Sequence, residues 1–163
     1  ILNEKVRIYF ENDKFDRYKR KLGYIYFKGE NINLESVREG FSNYYFPSGK
    51  GSRYPNFVNA FDECLEENIN LCQKRDEKCL DVNWDYKEDR VVLKNICSHN
   101  LNIEGWSIKD EGRKKIFLSG EIEMNQKKEY TNEDWDKNYV FTKSGDSIFI
   151  RDENERLLYF SSY

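Results

Sequence analysis

The sequence predicts a mainly β protein with two helices in its first half, and three observations predict it. Apolar and polar residues alternate strictly at the start. Apolar residues then recur at helical spacing between residues 34 and 65, and from residue 79 short apolar runs are separated by turn residues. The 163 residues suffice for one medium domain or two small ones. With 12 tyrosines, 11 phenylalanines and 3 tryptophans the chain is not disordered, and 2 prolines exclude a Pro-rich linker.

Val6, Ile8 and Phe10 alternate with Lys5, Arg7, Tyr9 and Glu11, the period of a half-buried strand over 5–11. Residues 22–27 read as a second strand, and Lys28-Gly29-Glu30 reverses the chain into a short strand at Ile32, completing an antiparallel meander. Asn33 is placed to cap a helix on which Leu34, Val37 and Phe41 share a face, with Gly40 as its stop. Pro47, Gly49, Gly51 and Pro55 bracket a loop. Asn56 is placed to cap a second helix, running to about Ile69, whose Phe57, Phe61, Cys64 and Leu65 oppose Asp62, Glu63, Glu66 and Glu67.

The polar stretch 73–78 is the expected linker between domains at 1–72 and 79–163. Beyond it, strands are expected at 80–86, 90–96, 106–109, 115–118, Glu129 or Tyr130, 139–142, 147–151 and 157–163. Turn signals lie at Gly105, Glu111-Gly112, Ser119-Gly120, Ser144-Gly145-Asp146 and Asp152-Glu153-Asn154. Short strands at this spacing indicate a sandwich or barrel.

The net charge of −3 conceals an asymmetry: residues 1–55 carry 11 Lys+Arg against 7 Asp+Glu, the remainder 16 against 23. A polyanion is therefore expected at the front. No apolar run is long enough for a membrane span. Ile1-Leu2-Asn3-Glu4 has neither an initiator Met nor signal-peptide regions, so the chain reads as a processed or excised piece. The four cysteines match no CxxC zinc pattern. Three arrangements stay open: a zinc tetrad of Cys72, Cys79, Cys97 and His99, a Cys72–Cys79 disulfide across the polar loop, or free buried thiols.

Val6-Arg7-Ile8-Tyr9-Phe10, Asp16-Arg17-Tyr18-Lys19-Arg20-Lys21-Leu22-Gly23-Tyr24-Ile25-Tyr26, Asn31-Ile32-Asn33, Val37-Arg38-Glu39-Gly40-Phe41 and Asn70-Leu71-Cys72 follow one another in an order and spacing that resembles the second half of a staphylococcal-nuclease (thermonuclease) domain. The resemblance covers about residues 1–72. It implies part of an OB-type barrel with two helices, hydrolysis of DNA or RNA phosphodiesters, and calcium as cofactor in the intact nuclease. It assigns Arg20 as a catalytic arginine and Arg17 and Tyr18 as phosphate contacts, and it brings Tyr44, Tyr45 and Phe46 near where the family presents tyrosines to the nucleotide. Two positions depart from the pattern: Lys19 replaces the usual glycine of the turn, and Cys72 replaces a terminal tryptophan. The family's first arginine, its glutamate and its metal-binding aspartates would precede Ile1, so no metal ligand is assigned here.

Val91-Val92-Leu93-Lys94-Asn95, Leu101-Asn102-Ile103-Glu104-Gly105-Trp106 and Ser144-Gly145-Asp146-Ser147-Ile148-Phe149-Ile150-Arg151-Asp152 resemble a lamin-tail domain over about residues 79–163. That likeness implies an immunoglobulin-like β-sandwich used for binding or tethering, and the combination implies a secreted or cell-envelope protein.

Each assignment has a plainer competitor. Arg20 lies in the simply basic run Lys19-Arg20-Lys21, though an arginine on a rigid turn is what aims a fork at a phosphoryl oxygen. Lys14, Arg17 and Lys21 read as general phosphate contacts or solvated charge, and Arg38 as a complement to a helix C-terminus. Tyr44 and Tyr45 could stack on a base or pack beneath a loop. Trp84, Trp106 and Trp135 read as core and anchors, and Asp146 as a turn former. Glu121, Glu123, Asp134 and Asp136 read as solvated charge, and His99 has no nucleophile beside it.

The expected function is thus a portion of a calcium-dependent nuclease with a tethering domain. Alone, the chain is expected to bind DNA or RNA weakly through its basic front and to cleave poorly. The alternative is a non-catalytic module that binds a partner protein, a cell surface or DNA. Without strands before Val6, the apolar face of Val6, Ile8 and Phe10 is expected to stay uncovered. Association with an N-terminal nuclease half, self-dimerisation or fraying would follow.

Overall fold

The alternation at the start yields a strand of only three residues, β1 (Arg7–Tyr9), in the computed structural model, which describes residues 2–11, 14–16, 18–46 and 50–163. Its partner β2 (Tyr24–Phe27) is itself four residues long, so the ladder stops at Arg7↔Tyr26, Ile8↔Ile25 and Tyr9↔Tyr24 instead of filling 5–11. Lys28 and Gly29, both at positive φ, make the two-residue turn into β3 (Glu30–Asn31). Val6 and Ile8 are 40% and 51% exposed. The fold class is mainly β with two α-helices.

Helix α1 (Ile32–Arg38) is capped two residues before the expected position. Asn31, still extended, accepts from the backbone N–H groups of Asn33 and Leu34. Asn33 lies inside the helix instead, and its Oδ1 accepts from Ile25 N at 2.8 Å, tying α1 to β2. Gly40 stops the helix at φ 67, and a Cβ there would meet Cys64 Sγ at 2.8 Å. The chain therefore turns away before Phe41, which is 72% exposed and not on the apolar face expected of it.

Helix α2 (Tyr54–Glu67) starts with Pro55 in its first turn and no side-chain cap, because the proline has no N–H to satisfy and a preset φ; Asn56 is internal. Its stripe of Phe57, Ala60, Phe61 and Cys64 is buried. Arg38 pairs with Glu35 and with Glu63 of α2, whose hydrogen bonds hold its guanidinium above the usual arginine range, so it joins two helices as well as ending one.

Asn68 at φ 56 ends α2 and reverses the chain, returning Cys72 over Cys64 to form a disulfide. Cys79 pairs with Cys97. All four cysteines are bridged, which overturns the Cys72–Cys79 pairing, the zinc tetrad and the free thiols together.

The chain divides into two compact units, Ile1–Cys72 and Gln73–Tyr163. In the second, β4 (Leu80–Asp85) and β5 (Arg90–Asn95) form a hairpin, and β10 (Lys127–Tyr130) adds to the far side of β5. The other sheet runs β12 (Leu157–Ser162), β11 (Ser147–Arg151), β7 (Ser107–Asp110) and β8 (Lys115–Phe117). Two-residue strands β6 (Leu101–Asn102) and β9 (Glu121–Ile122) pair with each other. Val91 and Leu93 of one sheet, Ile108, Ile148 and Ile150 of the other, and Trp106 form a single fully buried core.

The strand expected at 139–142 is absent. The N–H groups of Val140 and Phe141 donate to Asp89 Oδ1 at 3.0 and 2.8 Å, so a carboxylate satisfies this backbone in place of a neighbouring strand. Asp146 is buried and accepts from the N–H groups of Glu111, Thr142 and Ser147, the work of a turn former. No helix among the described residues is long and apolar enough to cross a membrane.

Beside Asp146, burial and the neighbouring carboxylate raise Asp110 to about 6, against hydrogen bonding from Lys114. The folded state therefore holds this proton more tightly than the unfolded chain, so the contribution to stability is full below about pH 4 and is lost as pH rises to about 6. Asp110→Asn is expected to flatten the denaturation midpoint between those pH values and to stabilise the unit at pH 7 by about 1–2 kcal/mol. A midpoint with the same pH slope in the variant would refute it.

Candidate nucleic-acid interface

The segment before β2 folds as a narrow ribbon. Leu22 N donates to Lys14 O, Phe15 bridges Lys21, and Asp16 N donates to Arg20 O, so Asp16 and Arg20 close the tip. Asp16 closes this tip by itself. Oδ1 accepts from the backbone N–H groups of Tyr18 and Arg20 at 2.9 and 2.8 Å, and Oδ2 accepts from Arg20 Nε at 2.6 Å. Burial disfavours the Asp16 charge, but these hydrogen bonds prevail and hold its carboxyl below the usual carboxylate range. Lys19 adopts φ 62, the left-handed conformation suited to the glycine it replaces.

This position makes Lys19 a probe of the turn. Lys19→Gly is expected to keep the tip and raise unit stability by up to about 1 kcal/mol, while Lys19→Val costs about 1–2 kcal/mol because a β-branched side chain resists positive φ. Far-UV circular dichroism melts check both. Equal melts for the two variants would rule out the left-handed turn.

Asp16 grips Arg20 through Nε, and the arginine side chain remains 51% exposed with its guanidinium 5.4 Å from the Tyr18 ring. The hydrogen bond from the Arg20 side chain to Asp16 runs through Nε, and an exposed guanidinium of this kind can offer its Nη donors to an anion. Tyr18 and Lys14 are exposed near it. Arg17 lies outside the described residues.

The same closure recurs in the second unit. Asp152 N donates to Arg156 O, Asp152 Oδ1 accepts from the N–H groups of Asn154 and Arg156, Oδ2 accepts from Arg156 Nε, and Glu155 sits at φ 61. The Asp-to-Arg grip is thus a general way of closing a five-residue hairpin tip. Surroundings separate the two cases, because Lys19 lies within one tip with Lys14 and Lys21 flanking it in sequence, whereas Glu153 and Glu155 lie within the other.

Lys21 lines a cleft of about 790 Å³, together with Tyr9, Glu11, Asn33, Tyr45 and Lys50; Arg20, Tyr18 and Lys14 do not. Tyr45 is 54% exposed at this cleft, whereas Tyr44 is 3% exposed with its ring edge-on to Tyr54 and Phe61. Tyr44 also lines the cleft, but its ring is packed into the wall.

Sequence reasoning missed Arg53. Its guanidinium lies 4.8, 5.1 and 5.9 Å from the rings of Tyr9, Tyr24 and Tyr26 and 3.8 Å from Glu11 Oε1, pinning the start of α2 to β1 and β2. Tyr24, half-buried in this row, has its phenol raised by burial and by Glu11, with Arg53 opposing. The period-two placement of Tyr24 and Tyr26 was the signal available for it.

Calcium takes hard oxygen donors. Among the described residues, the one group of three close metal-ligating side chains is Cys79, Cys97 and His99, soft donors of which two are in a disulfide. The residues here do not fit calcium. No curated protein matches the chain. Residues 1–74 match the family described as staphylococcal nuclease homologue, so the front of the chain is similar to that family.

Proposed function

We propose that this domain binds the phosphate backbone of DNA or RNA at its Asp16–Arg20 tip and works as part of a phosphodiester-hydrolysing nuclease. The observation that carries the proposal is the tip itself: Asp16 grips Arg20 through Nε and leaves the arginine side chain half exposed. Such a guanidinium can neutralise charge developing on the phosphoryl oxygens during attack by water. It activates no nucleophile. The second unit, read as a lamin-tail-like sandwich, serves to tether.

The test uses a polypeptide that also carries the family's glutamate and metal-binding aspartates. There Arg20→Ala is expected to lower kcat on single-stranded DNA or RNA by about 100–1000-fold. Arg20→Lys should restore little, since a point charge lacks the two-donor fork. Unchanged rates in Arg20→Ala would refute the assignment.

A second reading, a binding module without catalysis, is favoured by the recurrence of the tip at Asp152–Arg156, where the arginine merely closes a hairpin. Under that reading Arg20→Ala weakens nucleic-acid binding and leaves cleavage untouched.

A further inference from the structure

The strongest unassigned cluster lies in the second unit, at the end of the β4–β5 hairpin. Cys79 and Cys97 are joined by their disulfide, and His99 Nε2 lies 3.7 Å from Cys79 Sγ. The three donor atoms all fall within 4.8 Å of one another. A tetrahedral zinc site built with ordinary Zn–S and Zn–N bonds has a sulfur-to-nitrogen edge of about 3.6 Å. That edge already exists here. The sulfurs need only part to about 3.8 Å once the bond between them is broken.

The loop that carries two of these donors is held independently of the disulfide. Asn95, fully buried at the end of β5, accepts from Cys97 N and donates to His99 O, Ile122 O and Glu123 O. Ile96 N donates to Cys79 O, securing the third donor's backbone. Cys97 and His99 are thus a ligand pair two residues apart on a pinned turn, and Cys79 faces them across the hairpin.

We propose that the Cys79–Cys97 disulfide and His99 form a redox-gated site for a thiophilic divalent cation such as zinc, closed to metal when oxidised and open when reduced. A dithiol reductant opens it. One reductant thiolate attacks Sγ of Cys97, which is less buried than Cys79, forming a mixed disulfide and expelling Cys79 as a thiolate beside His99. The second reductant sulfur then attacks the mixed disulfide and releases the Cys97 thiolate, leaving the reductant as its own disulfide. Two electrons and two protons pass to the cysteines. The cation displaces those protons and takes two thiolates and the imidazole, with its fourth position toward solvent, where His99 is exposed.

The test uses full-length Cys64→Ser/Cys72→Ser protein, so that Cys79 and Cys97 are the only thiols. It is reduced with a phosphine and titrated anaerobically with cobalt(II). One equivalent should give a thiolate-to-cobalt charge-transfer band with intense tetrahedral d–d absorption, abolished by zinc. The oxidised protein should give neither, and His99→Ala should bind zinc more than about tenfold more weakly in competition with a chromophoric chelator. Tryptophan emission reports whether the reduced unit is folded, and a reduced protein that regains buried-tryptophan emission on adding cobalt also supports the site. Absence of the band in reduced protein, an equal band in oxidised protein, or unchanged zinc affinity in His99→Ala overturns it.

Discussion

Asn95→Leu is expected to lower the unfolding free energy of the Gln73–Tyr163 unit by about 3 kcal/mol. Leucine keeps the volume but abandons three carbonyl acceptors and the Cys97 N–H that Asn95 satisfies from a fully buried position. Each buried group left without a partner costs about 1–3 kcal/mol. The His99 carbonyl, on an exposed residue, recovers part of that through water. Trp84, Trp106 and Trp135 all belong to this unit, so tryptophan fluorescence in a urea titration follows it alone. Asn95→Asp should fall between, since it still accepts from Cys97 N but aims a carboxylate at carbonyls. An unchanged midpoint in Asn95→Leu would show that the hydrogen-bonded knot holds nothing.

Neutralising Lys14, Arg17, Lys19 and Lys21 to glutamine in the full chain is expected to weaken DNA binding irrespective of sequence. The slope of log affinity against log salt should flatten by about one for each phosphate that the protein no longer neutralises. The charge balance directs this to the front: residues 1–28 hold 8 Lys+Arg against 4 Asp+Glu, and residues 79–163 hold 13 against 17. The rear patch at Arg113, Lys114 and Lys115 is largely spent internally. Lys115 pairs with Glu155 at 2.7 Å, and Lys114 lies 3.7 Å from Asp110 and donates to Val140 O. Fluorescence anisotropy with a labelled oligonucleotide at several salt concentrations checks the slope. If glutamine at Lys114 and Lys115 flattens it more than the four front substitutions do, the nucleic-acid interface belongs to the second unit.

What the sequence determined by itself was whatever a short window of chain encodes. The mainly β class, the buried stripe of α2 and most strands of the second unit follow from period and turn chemistry, which act between neighbours. Arg20 was singled out only through the family resemblance, and its closure by Asp16 emerged in the folded tip. Tertiary structure decided whatever required distant residues to meet. Pairing Cys64 with Cys72 depended on Asn68 reversing the chain at φ 56, and the capping of α1 moved to Asn31 because β3 ends there while β2 claims Asn33. Asp89 removed the strand expected at 139–142 by satisfying its backbone from 51 residues away. Arg53 found its three tyrosines, and Tyr44 was drawn into the wall, through contacts that no local pattern specifies. Period and propensity act along the chain, whereas burial and the satisfaction of polar groups are settled only when remote segments compete for the same partners.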